Sequence, residues 1–224
     1  MTVTEWATVA SLATAVGTLV LAIATFASVR SANYSARAAD QAARIAEQSA
    51  RIAERSLMAA ERPLLMNSRL QDPEQKVQFL EGRFLKVVGG TATLEVADDV
   101  VYMVVSVRNV GTGLAVMHGW HVEATGQPQL THPPLEVFTA QTRDIYVAPG
   151  DVGFWQGALR DPATARFKAI AAAVRAGDPI MLNVLYGDWE GGQRVISQFA
   201  LRRVNNRWLT TTGRHYNVDR PDPR

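Results

Sequence analysis

The sequence predicts a mainly β chain, an antiparallel β-sandwich with one inserted helix, preceded by a long N-terminal α-helix. Three observations carry this reading. The stretch from Trp6 to Val29 is uncharged and mostly apolar. A seven-residue pattern then runs without a break from that stretch to about Leu57. From Leu64 onward the texture changes to β-branched runs separated by turn residues. The expected organisation is a transmembrane helix over residues 1–29, a coiled-coil-like helical stalk over 30–62, a β-sandwich over 63–212 and a flexible tail over 213–224.

As a helix, "WATVASLATAVGTLVLAIATFASV" spans roughly 36 Å, enough to cross a ~30 Å hydrocarbon core with some tilt. A buried core helix would be shorter and show a polar stripe. A cleaved signal peptide would carry a basic leading region, whereas Glu5 and no Lys or Arg precede Trp6. Arg30, Arg37 and Arg44 follow the segment, so the C-terminal side is expected to be cytoplasmic. This places the chain in the inner (cytoplasmic) membrane as a single-pass protein, N-terminus outside and C-terminal domain cytoplasmic.

With Ala43 as position a and Ala46 as d, column a reads Thr8, Ala15, Ala22, Val29, Ala36, Ala43, Ala50, Leu57. Column d reads Ser11, Thr18, Thr25, Ala32, Ala39, Ala46, Ala53, Ala60. Nearly all are small. Column e changes from Leu12, Leu19 and Phe26 to Asn33, Asp40, Glu47, Glu54 and Glu61. Column b changes from Val9, Val16 and Ile23 to Arg30, Arg37, Arg44 and Arg51 before Met58. One face therefore switches from apolar to charged near residue 30, while its neighbour stays small, as expected of one helix leaving a bilayer. Small residues let helices approach closely in lipid, so Ala15, Ala22, Ala43, Ala46, Ala50 and Ala53 form a candidate helix–helix interface for a homo-oligomer. The competing account is that an alanine-rich composition fills these columns by chance, and an all-alanine seam is weak in water. Asp40–Arg44 and Glu47–Arg51 are acid-before-base i,i+4 pairs. Pro63 is expected to end the helix.

Strands are predicted at Leu64–Leu70, Phe84–Val88, Thr91–Val96, Val100–Val110, Met117–Ala124, Val152–Ala158, Ile180–Tyr186, Arg194–Val204 and Trp208–Thr211. Gly89-Gly90 and Asn205-Asn206 sit where two-residue hairpin turns would go, and "GDWEGG" joins two further strands. The single helix is "DPATARFKAIAAAVRAGDP", with Asp161 as N-cap, Pro162 at N1 and Gly177 in the left-handed position.

"ERPLL" after a helix, then "VRNVGTGLAV", then "YGDWEGGQRVISQFAL", resembles a broad set of uncharacterised bacterial single-pass membrane proteins. In these a transmembrane helix and short stalk precede an immunoglobulin-like sandwich with an Asn-x-Gly-x-Gly-x-Ala turn, here Asn109, Gly111, Gly113 and Ala115. Leu114 stands where that turn usually has proline. The resemblance implies architecture and no activity.

The 224 residues carry 23 basic and 21 acidic side chains, net +2, too balanced to argue for nucleic acid. The chain has no cysteine, which excludes disulfides and thiolate-held metal. "GTGLAV" lacks the third glycine of a dinucleotide loop and reads as a strand-ending turn whose glycines supply positive φ. "MHGWH" sets His118 and His121 three apart, on opposite faces of a strand, so no metal site is expected. No nucleophile elbow, zinc-protease helix or P-loop is present; no catalytic residue, metal or cofactor is implied. Asp188 and Glu190 are expected as solvated turn residues. Trp189 between them is expected to fold back onto the sheet, with an exposed ring anchoring a partner as the alternative. Arg202, Arg203 and Arg207 are expected on a solvated face, with contact to anionic lipid or a partner as the alternative.

The function expected is that of a membrane-anchored scaffold or interaction protein acting on a protein partner. The competing expectation is a membrane-tethered enzyme or small-ligand sensor with a loop-built site.

Overall fold

The computed structural model describes residues 3–127 and 129–221, and in it α1 is one continuous helix, Val3–Ala60. The side chains of residues 3–11, 13 and 58–60 are not described, so Thr8, Val9, Ser11, Met58 and Ala60 of the columns lie outside the described side chains. The chain divides into two compact units, Met1–Ser56 and Leu57–Arg224.

In the first unit Leu12, Leu19, Ile23 and Phe26 are all exposed, an arrangement water disfavours and hydrocarbon does not. The Thr18 and Thr25 hydroxyls donate to the carbonyls of Thr14 and Leu21 one turn back, each at 2.8 Å. Their polar groups are thereby satisfied inside the helix, as a lipid environment requires. Among the described residues this is the helix long and apolar enough to cross a membrane. Further along, Arg51 pairs with Glu47 at 2.5 Å; the pair is exposed and contributes about 0.3–0.5 kcal/mol. The Asp40–Arg44 pair expected beside it is not closed.

The helix stops where Pro63 predicts. Glu61 N–H closes the last turn onto Leu57 O at 3.1 Å, and the chain continues as β1 (Leu65–Asn67). There follow β2 (Gln75–Gln78), β3 (Phe84–Val87), β4 (Thr91–Ala97), β5 (Val100–Asn109), β6 (Ala115–Glu123), β7 (Thr139–Ala140), β8 (Tyr146–Val147) and β9 (Val152–Leu159). After these come α2 (Ala165–Ala176), β10 (Ile180–Gly187), β11 (Arg194–Val204) and β12 (Arg207–Asn217).

Apart from the β2–β3 hairpin, all the described strands belong to one ten-stranded antiparallel sheet. β5 carries β9 along one edge and β4, then β1, along the other. The sheet continues from β4 to β12, β11, β10 and β6, with β7 and β8 pairing to β6. The β4–β12 ladder is only Trp208↔Ala92 and Leu209↔Thr91, so two broad halves meet through a narrow seam. One core draws on both halves: Val101, Met103, Val105 and Val107 of β5 pack with Leu182, Val184, Phe199 and Leu201, and with Phe167 and Ile170 of α2. The β2–β3 hairpin covers the other face of β5, burying Val77, Phe79, Leu85 and Val87 against Tyr102 and Val104. That second cover explains why "VVYMVVSV" shows no polar alternation: β5 is buried on both faces.

Several local expectations are corrected. Asn205 (φ 48°) and Asn206 (φ 62°) form the predicted hairpin turn, but Asp98 (φ 50°) and Asp99 (φ 56°) make an equivalent turn between β4 and β5. Gly89-Gly90 turns the chain without making a hairpin, because β3 pairs with β2 and β4 with β5. The N-cap of α2 is Thr164, whose hydroxyl accepts from Phe167 N–H at 3.2 Å. Asp161 instead accepts from Ala163 N–H at 2.9 Å, one turn upstream. Gly177 ends α2 at φ 80° as expected. The tail expected from Gly213 is strand as far as Asn217. The register shifts so that Gln198 pairs with Arg214 and Phe199 with Thr212, which makes Gly213 the extra residue of a bulge and not the start of a tail.

Candidate functional site

Three stretches far apart in sequence meet where α1 gives way to the sheet. Asn109, at the end of β5, accepts from Leu64 N–H (3.1 Å) and Gly111 N–H (3.0 Å) through Oδ1. Its Nδ2 donates to Gly113 O (2.7 Å) and Val147 O (3.0 Å). Arg62 O in turn accepts from Thr112 N–H at 3.0 Å. Neither Gly111 nor Gly113 has positive φ, contrary to the expectation for this turn; both are needed because the backbone leaves no room. A Cβ at Gly111 would lie 2.3 Å from Arg62 O, and one at Gly113 only 1.7 Å from Glu61 O. "ERPLL" and "NVGTGLA" are therefore two halves of one joint.

Beneath the joint lies a buried polar cluster. Tyr186 OH accepts from Leu65 N–H (3.0 Å) and contacts Ser197 Oγ (2.8 Å). Ser197 Oγ donates to Leu65 O (3.0 Å) and meets His215 Nδ1 at 2.7 Å. Burial pushes the Tyr186 phenol up to about 12. A Ser–His contact invites a nucleophile–base reading, but Ser197 is fully buried and its one proton is engaged by Leu65 O. The cluster holds β1 to β10 and β11; it does not face a substrate.

The third stretch is the β10–β11 turn, and it corrects two expectations. Asp188 is buried, not solvated. Its Oδ1 accepts from Gly192 N–H at 2.8 Å, and its backbone N–H donates to Gln193 O at 3.3 Å, so the carboxylate pins the turn. Trp189 does not fold back: it is 69% exposed, with the half-exposed Tyr146 ring 5.9 Å away. Glu61, Gly113, Leu114, Trp189 and Glu190 line a shallow depression of about 300 Å³. Trp189 thus stands on a turn braced by its own hydrogen bonds, with Tyr146 of β8 beside it and the exposed carboxylates of Glu61 and Glu190 flanking the depression.

Comparison with protein-family models, curated proteins and solved structures returns no match.

The remaining predicted residues lie elsewhere. Arg202 and Arg203 sit at the far end of β11 from Trp189, so the three do not share a patch. Arg202 reaches Gly126 O at 3.4 Å, and Arg203 bonds the Asn206 side chain. Ala15, Ala22, Ala43, Ala46, Ala50 and Ala53 are exposed along α1. His118 is the bulged residue of β6, opposite the Leu185/Tyr186 register shift, and His121 is buried with Nε2 2.8 Å from Glu123. Burial, then the nearby Arg194 charge, hold the His118 pKa below its usual value, with Asp188 opposing. Tyr146, whose ring stands beside Trp189, was not singled out from the sequence. It lies on a two-residue strand within a loop-like stretch, and its only signal was tyrosine flanked by β-branched neighbours.

Proposed function

We propose that the chain is a single-pass anchor of the bacterial inner membrane. Its N-terminus lies outside, and its cytoplasmic β domain, of immunoglobulin-like sandwich type, acts by binding a protein partner. The observation that carries this reading is the Trp189–Tyr146 pair, both rings exposed, with Trp189 on a turn whose geometry Asp188 holds. Large aromatic rings on pre-ordered backbone are the residues that concentrate binding energy at interfaces. Glu61 and Glu190 beside the rings favour a partner segment bearing lysine or arginine, which gains both ion pairing and contact with the indole face. The basic flank of the apolar helix supports the orientation. The small face of α1, Ala15 through Ala53, supports self-association in the membrane.

The test is site-specific photo-crosslinking in cells with a photoreactive residue at Trp189, at Tyr146 and, as control, at Arg202. A discrete protein adduct from the first two positions, weakened by Glu190→Lys, supports the reading. Trp189→Ala should abolish capture from Tyr146 while changing stability by no more than about 0.5 kcal/mol, because the ring is exposed. Equal capture from all three positions, or none from Trp189, overturns it. Cysteines at Ala43 or Ala46 crosslink between copies if the small face is the seam; crosslinking at Glu47 but not at these sinks that part.

A further inference from the structure

The rolled sheet leaves a gap between its two outermost strands. β9 pairs only with β5 and β7 only with β6, and a cleft of about 560 Å³ opens between their free edges. That volume falls within the roughly 300–1,000 Å³ of small-molecule sites. Phe79 and Trp120 supply apolar wall, and the polar lining is unusual. Gln141 donates from Nε2 to the main-chain oxygen of Gln156 at 3.0 Å, yet its own Oε1 is buried without a donor. Gln156 is 8% exposed, and its Oε1 is likewise buried without a donor. Two orphaned amide oxygens in one wall are an unstable arrangement, since each such group left unmet costs about 1–3 kcal/mol. The last torsion of a glutamine is soft, so the Gln156 amide can turn to meet a donor entering the cleft.

Charge points the same way. Arg160 is paired with Glu81 at 2.6 Å, so its charge is already answered. Among the described residues Arg143 donates only to Gln78 O at 3.3 Å, and none of those lining the cleft is a carboxylate. Two buried acceptors in the cleft thus await a donor, and Arg143 at its edge has no acidic partner among the described residues. It holds neither the carboxylates nor the histidine that hydrolytic chemistry would use.

We propose that this cleft is a binding site for an amino acid-sized zwitterion. The ligand's ammonium group donates to the Gln141 and Gln156 oxygens, and its carboxylate meets Arg143. The site is separate from the Trp189 surface, so either can fail without the other, and together they would make the domain a ligand-responsive adaptor.

The experiment is thermal melting of the full chain in detergent, with the common L-amino acids added singly at about 10 mM, a concentration that reveals Kd values to the millimolar range. At least one raises the melting temperature, and its N-acetyl and C-amide derivatives do not. Gln156→Leu removes an orphaned acceptor at similar volume. It therefore melts at or above the wild-type temperature without ligand, and binds the active amino acid at least about tenfold more weakly. Arg143→Gln weakens the amino acid in the same way. The proposal is overturned if no amino acid shifts the melt, if the blocked derivatives shift it equally, or if both variants keep wild-type affinity.

Discussion

Replacing Gly113 by alanine adds one methyl group at the joint between α1 and the sheet, and its consequence can be worked through. The new Cβ would sit 1.7 Å from Glu61 O and 2.4 Å from Glu61 C. Both are backbone atoms with no side-chain torsion to yield, so the 61–62 segment and the 111–113 turn must separate by more than about 1 Å, an overpacking strain of about 1–3 kcal/mol. Separation also breaks the bonds from Thr112 N–H (3.0 Å) and Gly113 N–H (3.4 Å) to Arg62 O, at about 0.5–1.5 kcal/mol each. The sum is about 2–6 kcal/mol, a large share of a typical domain's stability. For a domain of this size it corresponds to a melting temperature lowered by roughly 4–24 °C. Calorimetry of the full chain in detergent measures this. Gly192→Ala is the control: its Cβ would meet nothing closer than Asp188 Oδ2 at 3.7 Å, and its φ is not positive, so it should stay within about 0.5 kcal/mol of wild type. If Gly113→Ala melts within about 2 °C of wild type, the steric account of this motif is wrong.

Two further predictions concern pH. The folded-state pKa of Tyr186, about 12, lies above the ordinary value near 10. Its contribution is therefore complete below about pH 10 and is lost as pH rises through about 12, roughly 3 kcal/mol in all. Tyr186→Phe should lower stability by about 1–3 kcal/mol near neutrality, because Leu65 N–H loses its acceptor, and should flatten the alkaline limb of urea-unfolding free energies. Asp72 behaves oppositely. The Arg108 guanidinium, 2.7 Å away, holds its carboxyl below the usual range, so its contribution is present above about pH 4 and lost as pH falls through the lowered value. Asp72→Asn should be less stable than wild type near neutrality, and the gap should close in acid; a constant gap from neutral pH into acid would refute the role given to the ion pair.

Much of this chain is written locally. The uncharged run to Val29, the charged columns below it and Pro63 determine one helix, Val3–Ala60, because helix continuity depends on neighbours within a few residues. The longer strands were legible for the same reason: β-branched runs ended at turn residues, and Arg194–Val204 coincides with β11, whereas the short β2, β7 and β8 carried no such run. What the sequence could not decide were matters of distant contact. The glycines of "NVGTGLA" looked like a φ > 0 turn, and only the Glu61–Arg62 backbone pressing on them shows that they are small for want of space. Gly213 stood at the start of the expected tail until the shifted pairing of Gln198 and Phe199 made it a bulge within β12. Trp189 looked like a residue that would fold back; hydrogen bonds from Asp188 to the far side of the turn set its course, and the ring stands in solvent. The orphaned oxygens of Gln141 and Gln156 have no sequence signal at all, since a glutamine lacks a partner only by virtue of what surrounds it. Periodicity and turn chemistry determine the elements. The joint, the aromatic tip and the cleft arise only when strands far apart in the chain are brought side by side.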